Sequence, residues 1–149
     1  MTIYYTKYWR LIGMKKYLEK IHDMYWNHDL NCATTIIKVL AKKFSFKINK
    51  QVIDGLIAIP GGAKHGELCG LVIGPIMFIG MYGRNKGLNE KEIKKICYDF
   101  TEGFKDKFYN LQCRKLRPEG FKPSNPSHLC EELTKKVVVY TIYFIENKL

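Results

Sequence analysis

From Met14 to the end of the chain, apolar residues return every three or four positions, and that period specifies helices rather than strands. Residues 14–26 place Tyr17, Leu18, Ile21, Met24 and Tyr25 on one face. Asn31 can cap a second helix over 32–43, where Ala33, Ile36, Ile37 and Leu40 keep the same spacing. A short third helix is expected over 49–58, stopped by Pro60-Gly61-Gly62. The stretch 66–82 is apolar on all sides, the pattern of a buried helix. In it Gly66, Gly70 and Gly74 recur every four residues, so another backbone can approach that face, within the chain or from a second copy in a homodimer. Pro75 predicts a kink or an irregular early turn. Asn89-Glu90-Lys91-Glu92 reads as a capping box opening a helix to 108, with Ile93, Ile96, Cys97, Phe100, Phe104 and Phe108 as its stripe. After a turn at Cys113 and a loop over 117–125, a last helix is expected from Asn125-Pro126 to about 147, with Leu129, Leu133, Val137, Tyr140 and Phe144 inward. No alternating runs joined by a hairpin turn occur. The expected fold is all-α: a compact single-domain bundle of about five to six helices around a central glycine-containing apolar helix. Residues 14–149 form that domain, and 1–13, which lack a clear period, read as an N-terminal extension.

Apolar residues make up 46% and aromatics 13% of the 149 residues, enough to build a core without disulfides. The N-terminus shows neither the apolar stretch nor the cleavage site of a signal peptide. The longest apolar run, 68–82, is too short and too rich in glycine for a bilayer span, which needs roughly 20 residues. A cytoplasmic protein is expected, in a compartment that keeps ordinary thiols reduced. The net charge of +11 comes from scattered lysines, with pairs at Lys15-Lys16, Lys42-Lys43, Lys94-Lys95 and Lys135-Lys136. No basic tract and no nucleic-acid motif accompanies them, so nucleic acid is not an expected partner, whereas an acidic protein is compatible with the charge.

Five cysteines remain to be explained, an odd number with no two spaced as Cys-x-x-Cys. Taken alone they read as core residues, because free cysteine is among the most buried side chains. Their surroundings say more. Asn31-Cys32-Ala33 comes first, then Gly61-Gly62-Ala63-Lys64-His65-Gly66-Glu67-Leu68-Cys69-Gly70-Leu71-Val72-Ile73-Gly74. Cys113-Arg114-Lys115-Leu116 and His128-Leu129-Cys130 follow. In order, context and wide spacing this resembles the C_GCAxxG_C_C family of redox-active proteins over roughly residues 14–146. The resemblance singles out Cys32, Cys69, Cys113 and Cys130 as cofactor- or metal-binding thiols, and leaves Cys97 as core filler on the helix stripe. Leu71 stands where the family usually has Ala. The resemblance also implies an oxidoreductase or other redox partner protein. Similar domains occur in split-Soret cytochromes, where an iron–sulfur centre is implied; the absence of Cys-x-x-Cys-His here speaks against covalent haem.

Four thiolates satisfy a [2Fe–2S] cluster, the favoured cofactor, and the same donors could close a tetrahedral zinc site or act as two dithiol couples. Cys32, Cys69 and Cys130 fall near expected helix starts, and Cys113 precedes Arg114 and Lys115, all of which favour thiolate. His65 and His128 flank the motifs but are expected to be a loop and a helix-start histidine, and His22 and His28 surface groups. The loop Gly61 to Gly66 lacks the Gly-Lys-Ser/Thr of a phosphate cradle. Glu131-Glu132 reads as solvated surface, and no catalytic residue is assigned.

Overall fold

The structure, a computed structural model, describes residues 2–149, with side chains from Gly13 onward. The side chains of the expected extension over 1–13 lie outside the described residues, nearly all of them. Helix α1 (Thr2–Trp26) is continuous through Met14 and presents Tyr17, Ile21 and Tyr25 to the core. Helix α2 (Cys32–Lys43) has the expected bounds, and Asn31 Oδ1 accepts from the Thr34 N–H at 2.8 Å. That bond satisfies one of the donors every helix start leaves open. Short α3 (Lys50–Gly55) and the single turn α4 (Gly61–Lys64) lead to α5 (Gly70–Asn85), which runs through Pro75 as one element. In α6 (Glu90–Phe108) the capping box is complete: Asn89 accepts from the Glu92 N–H and Glu92 from the Asn89 N–H. The single turn α7 (Cys113–Leu116), a 3-10 turn (Ser127–Cys130) and α8 (Glu131–Lys148) complete the chain.

The fold is all-α, with eight helices and no strand among the described residues. The count passes the expected five to six because α4 and α7 are turns of four residues, too short to show a period. The last helix starts later than expected, since the 3-10 turn takes its first residues.

Helix α5 packs on α2, α6 and α8. Its closest approach is to α2, at Gly74, where an added Cβ would lie 2.5 Å from Ile36 Cγ2 and 3.1 Å from the Ala33 carbonyl oxygen. Gly70 is equally tight. Gly66 does not share this face: it precedes α5 with φ +79 and belongs to a turn. Away from the cysteines the core is aromatic. Phe44, Phe46, Phe78 and Tyr82 pack together between α2 and α5, and Phe100, Phe104, Phe108, Tyr140 and Phe144 form a seam between α6 and α8. Phe78, Phe100 and Phe104 are fully buried, each contributing about 1.5–3 kcal/mol by leaving water.

Candidate cysteine site

Each of the four cysteines named by the sequence stands at the start of a helical segment. Cys32 is the first residue of α2 and Cys113 of α7, while Cys69 precedes α5 and Cys130 precedes α8. The chain is arranged so that these starts point toward one another. All four residues line one cavity of about 80 Å³, closed by Gly61, Leu116, Phe121 and Leu133, with Lys64, Arg117 and Lys122 among its walls.

Two local devices hold the thiols there. The segments carrying Cys69 and Cys113 are joined by a short antiparallel bridge between Leu68 and Gln112. The Cys69 N–H donates to the Leu111 carbonyl at 2.9 Å, and the Cys113 N–H to the Glu67 carbonyl at 2.7 Å. Side chains alternate across such a bridge, so both cysteines face away from Leu68 and Gln112 and toward the cavity. The second device is the turn before it. Gly61, Gly62, Ala63 and Lys64 all have φ between +52 and +67, a left-handed turn, and the Gly66 N–H closes it on the Gly61 carbonyl at 2.8 Å. Left-handed backbone costs roughly 1–2 kcal/mol per residue with a side chain, which here means Ala63 and Lys64. The turn also brings glycine against sulfur. A Cβ on Gly61 would touch Cys113 Sγ at 3.6 Å, and one on Gly70 would collide with Cys32 Sγ at 2.6 Å.

The electrostatics separate the four thiols. The thiol of Cys69 hydrogen-bonds to Cys113, which is the main reason Cys113 is brought down to about 7; Arg117 helps, and together they outweigh burial and Glu119. Donating to Cys113, and then burial, hold Cys69 well above the ordinary thiol range. Burial, with the neighbouring thiol charges, pushes Cys32 up to about 12, although backbone N–H groups at its helix start pull the other way. Burial raises Cys130 to about 11 against the opposing pull of Arg117. The expectation that helix starts would yield thiolates at Cys32, Cys69 and Cys130 therefore holds at none of them, and Cys113 is lowered by Cys69 and Arg117 and not by the expected Arg114 and Lys115. At Cys32 and Cys130, loss of water outweighs the partial charge of a helix end, and at Cys69 the contact with Cys113 outweighs it first. Arg114 is not the nearby cation: it bonds to the carbonyls of His65 and Gly66 and to Glu67. That role belongs to Arg117, which pairs with Glu119 and donates to the Pro126 carbonyl at 3.3 Å. Sequence reasoning missed it because Arg117 lies in a proline- and glycine-containing loop with no periodic signal.

Cys97 stays apart. It sits inside α6, partly buried, with its thiol directed to the Ile76 carbonyl at 3.7 Å. No cysteine is in a disulfide, and among the described residues no group of three or more His, Cys, Asp and Glu side chains is set to hold a metal ion. His65 is exposed, and His128 stacks on Trp26 with ring centroids 4.1 Å apart. His28 pairs with Asp23. Glu131 departs from the expected solvated surface: it accepts from Trp26 Nε1 at 2.9 Å, from His22 at 2.8 Å and from Lys135 at 2.9 Å. Burial opposes its charge, but these bonds prevail and lower its carboxyl to about 2. The cluster ties α1 to α8 beside Cys130. No described helix is long and apolar enough to cross a membrane.

Residues 30–142 match the family model described as "Putative redox-active protein (C_GCAxxG_C_C)". No curated protein matches the chain, and neither does any solved structure. The match takes in most of the chain and all four cavity cysteines, and the chain belongs to this family.

Proposed function

We propose that this member of the redox-active family works through the four-cysteine cavity, and that Cys32, Cys69, Cys113 and Cys130 hold an iron–sulfur cluster of the [2Fe–2S] type. The observation that carries the reading is convergence: four thiols from segments up to about a hundred residues apart line one cavity. Four cysteine sulfurs are the donor set such a cluster takes. The residue types lining the cavity are that donor set, although as they stand the four sulfurs are not grouped to hold a metal ion. Glycine at 61 and 70 lets the sulfurs of Cys113 and Cys32 pack where a Cβ would stand, and Arg117 supplies positive charge against the negative charge four thiolates bring. When bound, the group would supply one-electron transfer. The protein's own part is to bury the thiols and to release their protons on loading, which makes loading favour higher pH.

One observation favours a second reading. Cys69 and Cys113 line the same cavity, and the contact between them lowers one thiol and raises the other, which suits a dithiol/disulfide couple. The Cys113 thiolate would attack a partner disulfide, breaking its S–S bond and expelling one partner thiolate; Cys69, giving its proton to that thiolate, would then break the mixed disulfide, which leaves a Cys69–Cys113 disulfide and a partner reduced by two electrons to one thiol and one thiolate.

Anaerobic purification with visible absorption and metal analysis on one sample tests these readings. About two irons per chain with brown colour supports the cluster. Stoichiometric zinc without colour would replace it with a structural zinc site. If neither metal is bound, thiol counting before and after mild oxidation decides for or against the dithiol couple, with two thiols lost per chain expected. The partner is an oxidoreductase or other redox protein, and the setting a reducing compartment such as the cytoplasm.

A further inference from the structure

Behind the cavity lies a second recess that the redox chemistry does not use. Leu116 and Leu133 form a wall common to both. On its far side, a groove of about 510 Å³ is lined by Lys107 from the end of α6, Lys115 from α7 and Lys136 from α8, with Phe108 and Tyr109. Its floor is apolar and its rim is basic. None of the three lysines has a carboxylate within ion-pair distance among the described residues, although their helix neighbours Lys105 and Lys135 do. Tyr109 ends α6 in the left-handed conformation, at φ +70, and is 88% exposed. An aromatic ring held out from a fixed backbone position beside unpaired charge is what recognition surfaces use, because ordering it costs little entropy.

We propose that this groove docks an acidic protein segment bearing an apolar anchor, carried by the partner that exchanges electrons with the cysteine cavity. The second half of that statement rests on the redox reading above. The charge sets the chemistry of the occupant, since three unpaired ammonium groups attract carboxylates. The apolar floor favours a protein segment over a nucleic acid, whose phosphates would find no guanidinium fork and no helix start in the groove. A segment seated there shares the Leu116 and Leu133 wall with the thiol cavity.

The test uses the full chain and a short fluorescein-labelled peptide of glutamates around one leucine and one phenylalanine, followed by fluorescence anisotropy. Binding that weakens steeply with salt is expected. Lys107→Glu/Lys115→Glu/Lys136→Glu is expected to weaken it about tenfold or more, and Lys107→Gln/Lys136→Gln less, in the same direction. A control with the same change in net charge outside the groove, Lys42→Glu/Lys47→Glu/Lys91→Glu, should stay within about twofold. Equal weakening by the control overturns the proposal. So does tighter binding of a single-stranded oligothymidine or of phosphatidylserine vesicles through the same three lysines. Electron uptake by the unmodified chain is scored separately: its loss counts against the redox reading, whereas lysine-independent peptide binding counts against the groove.

Discussion

Two cysteines show how the two ends of this molecule differ. Cys97 sits in the middle of α6, on the helix stripe that carries the aromatic seam, and its thiol meets only a backbone carbonyl. Cys113 sits at a helix start, beside the free thiol of Cys69 and near a guanidinium. The residue type is the same, but the positions along the helix are not. Inside a helix, a side chain meets the flank of a neighbouring helix, so cysteine acts as a small apolar filler. At a helix start it meets loops, open N–H groups and other chain turns, where charge and chemistry gather. One end of the molecule is therefore packed as core, and the other gathers the chemistry on which the proposed function rests.

That division can be broken by experiment. The largest effect is expected from Phe100→Ala in the seam. It removes a fully buried ring that packs on Phe104, Tyr140 and Phe144, and should cost about 3–5 kcal/mol in urea unfolding. The folded fraction should keep its thiol reactivity unchanged; altered reactivity would mean the two ends are one unit. Gly70→Ala should touch both ends at once. Its methyl meets Cys32 Sγ and the backbone of Ala33, so a loss of about 1–3 kcal/mol should come with altered Cys32 alkylation, read by mass spectrometry.

Subtler changes sharpen the contrast within the cavity. Alkylation of Cys113 should rise with a midpoint near pH 7, because thiolate forms as pH increases. Cys32 and Cys130 should stay unmodified until pH approaches 11 to 12. The linkage to stability has opposite signs. Cys113, lowered below the ordinary thiol, stabilises above about pH 9 and loses that contribution as pH falls through about 7. Cys32 and Cys130, raised, stabilise below about pH 9 and lose it as pH climbs through 11 and 12. Arg117→Gln should move the Cys113 midpoint upward and slow its alkylation several-fold at pH 7, since a cation beside the thiolate is gone. The smallest effect belongs to Cys97→Ala. About 1 kcal/mol or less should be lost, with the cavity thiols indifferent.

What the sequence disclosed follows the same line. Asn31 with α2, and Asn89 with Glu92 at α6, could be read because caps and stripes are local patterns. The four cysteines were legible through their motif contexts, whereas Cys97 was set aside by its stripe. What escaped was long-range or against local preference. The start of α5 moved from 66 to Gly70 because Ala63 and Lys64 take up a left-handed turn that their side chains disfavour. The bridge between Leu68 and Gln112 joins residues 44 positions apart, with no hairpin turn to announce it. Arg117 and Glu131 gained their roles only once distant segments closed around them.

In the function proposed above, electrons enter and leave through the four cavity cysteines and not through Cys97. The direct measurement is an anaerobic reductive titration that counts electrons accepted per chain. The oxidised chain and its Cys97→Ala variant should accept the same number, about one for a [2Fe–2S] cluster and about two for a disulfide. Cys69→Ser and Cys113→Ser should accept none. An unmodified chain that accepts no electrons, or a Cys97→Ala variant that loses the capacity, would contradict a redox role for these four thiols.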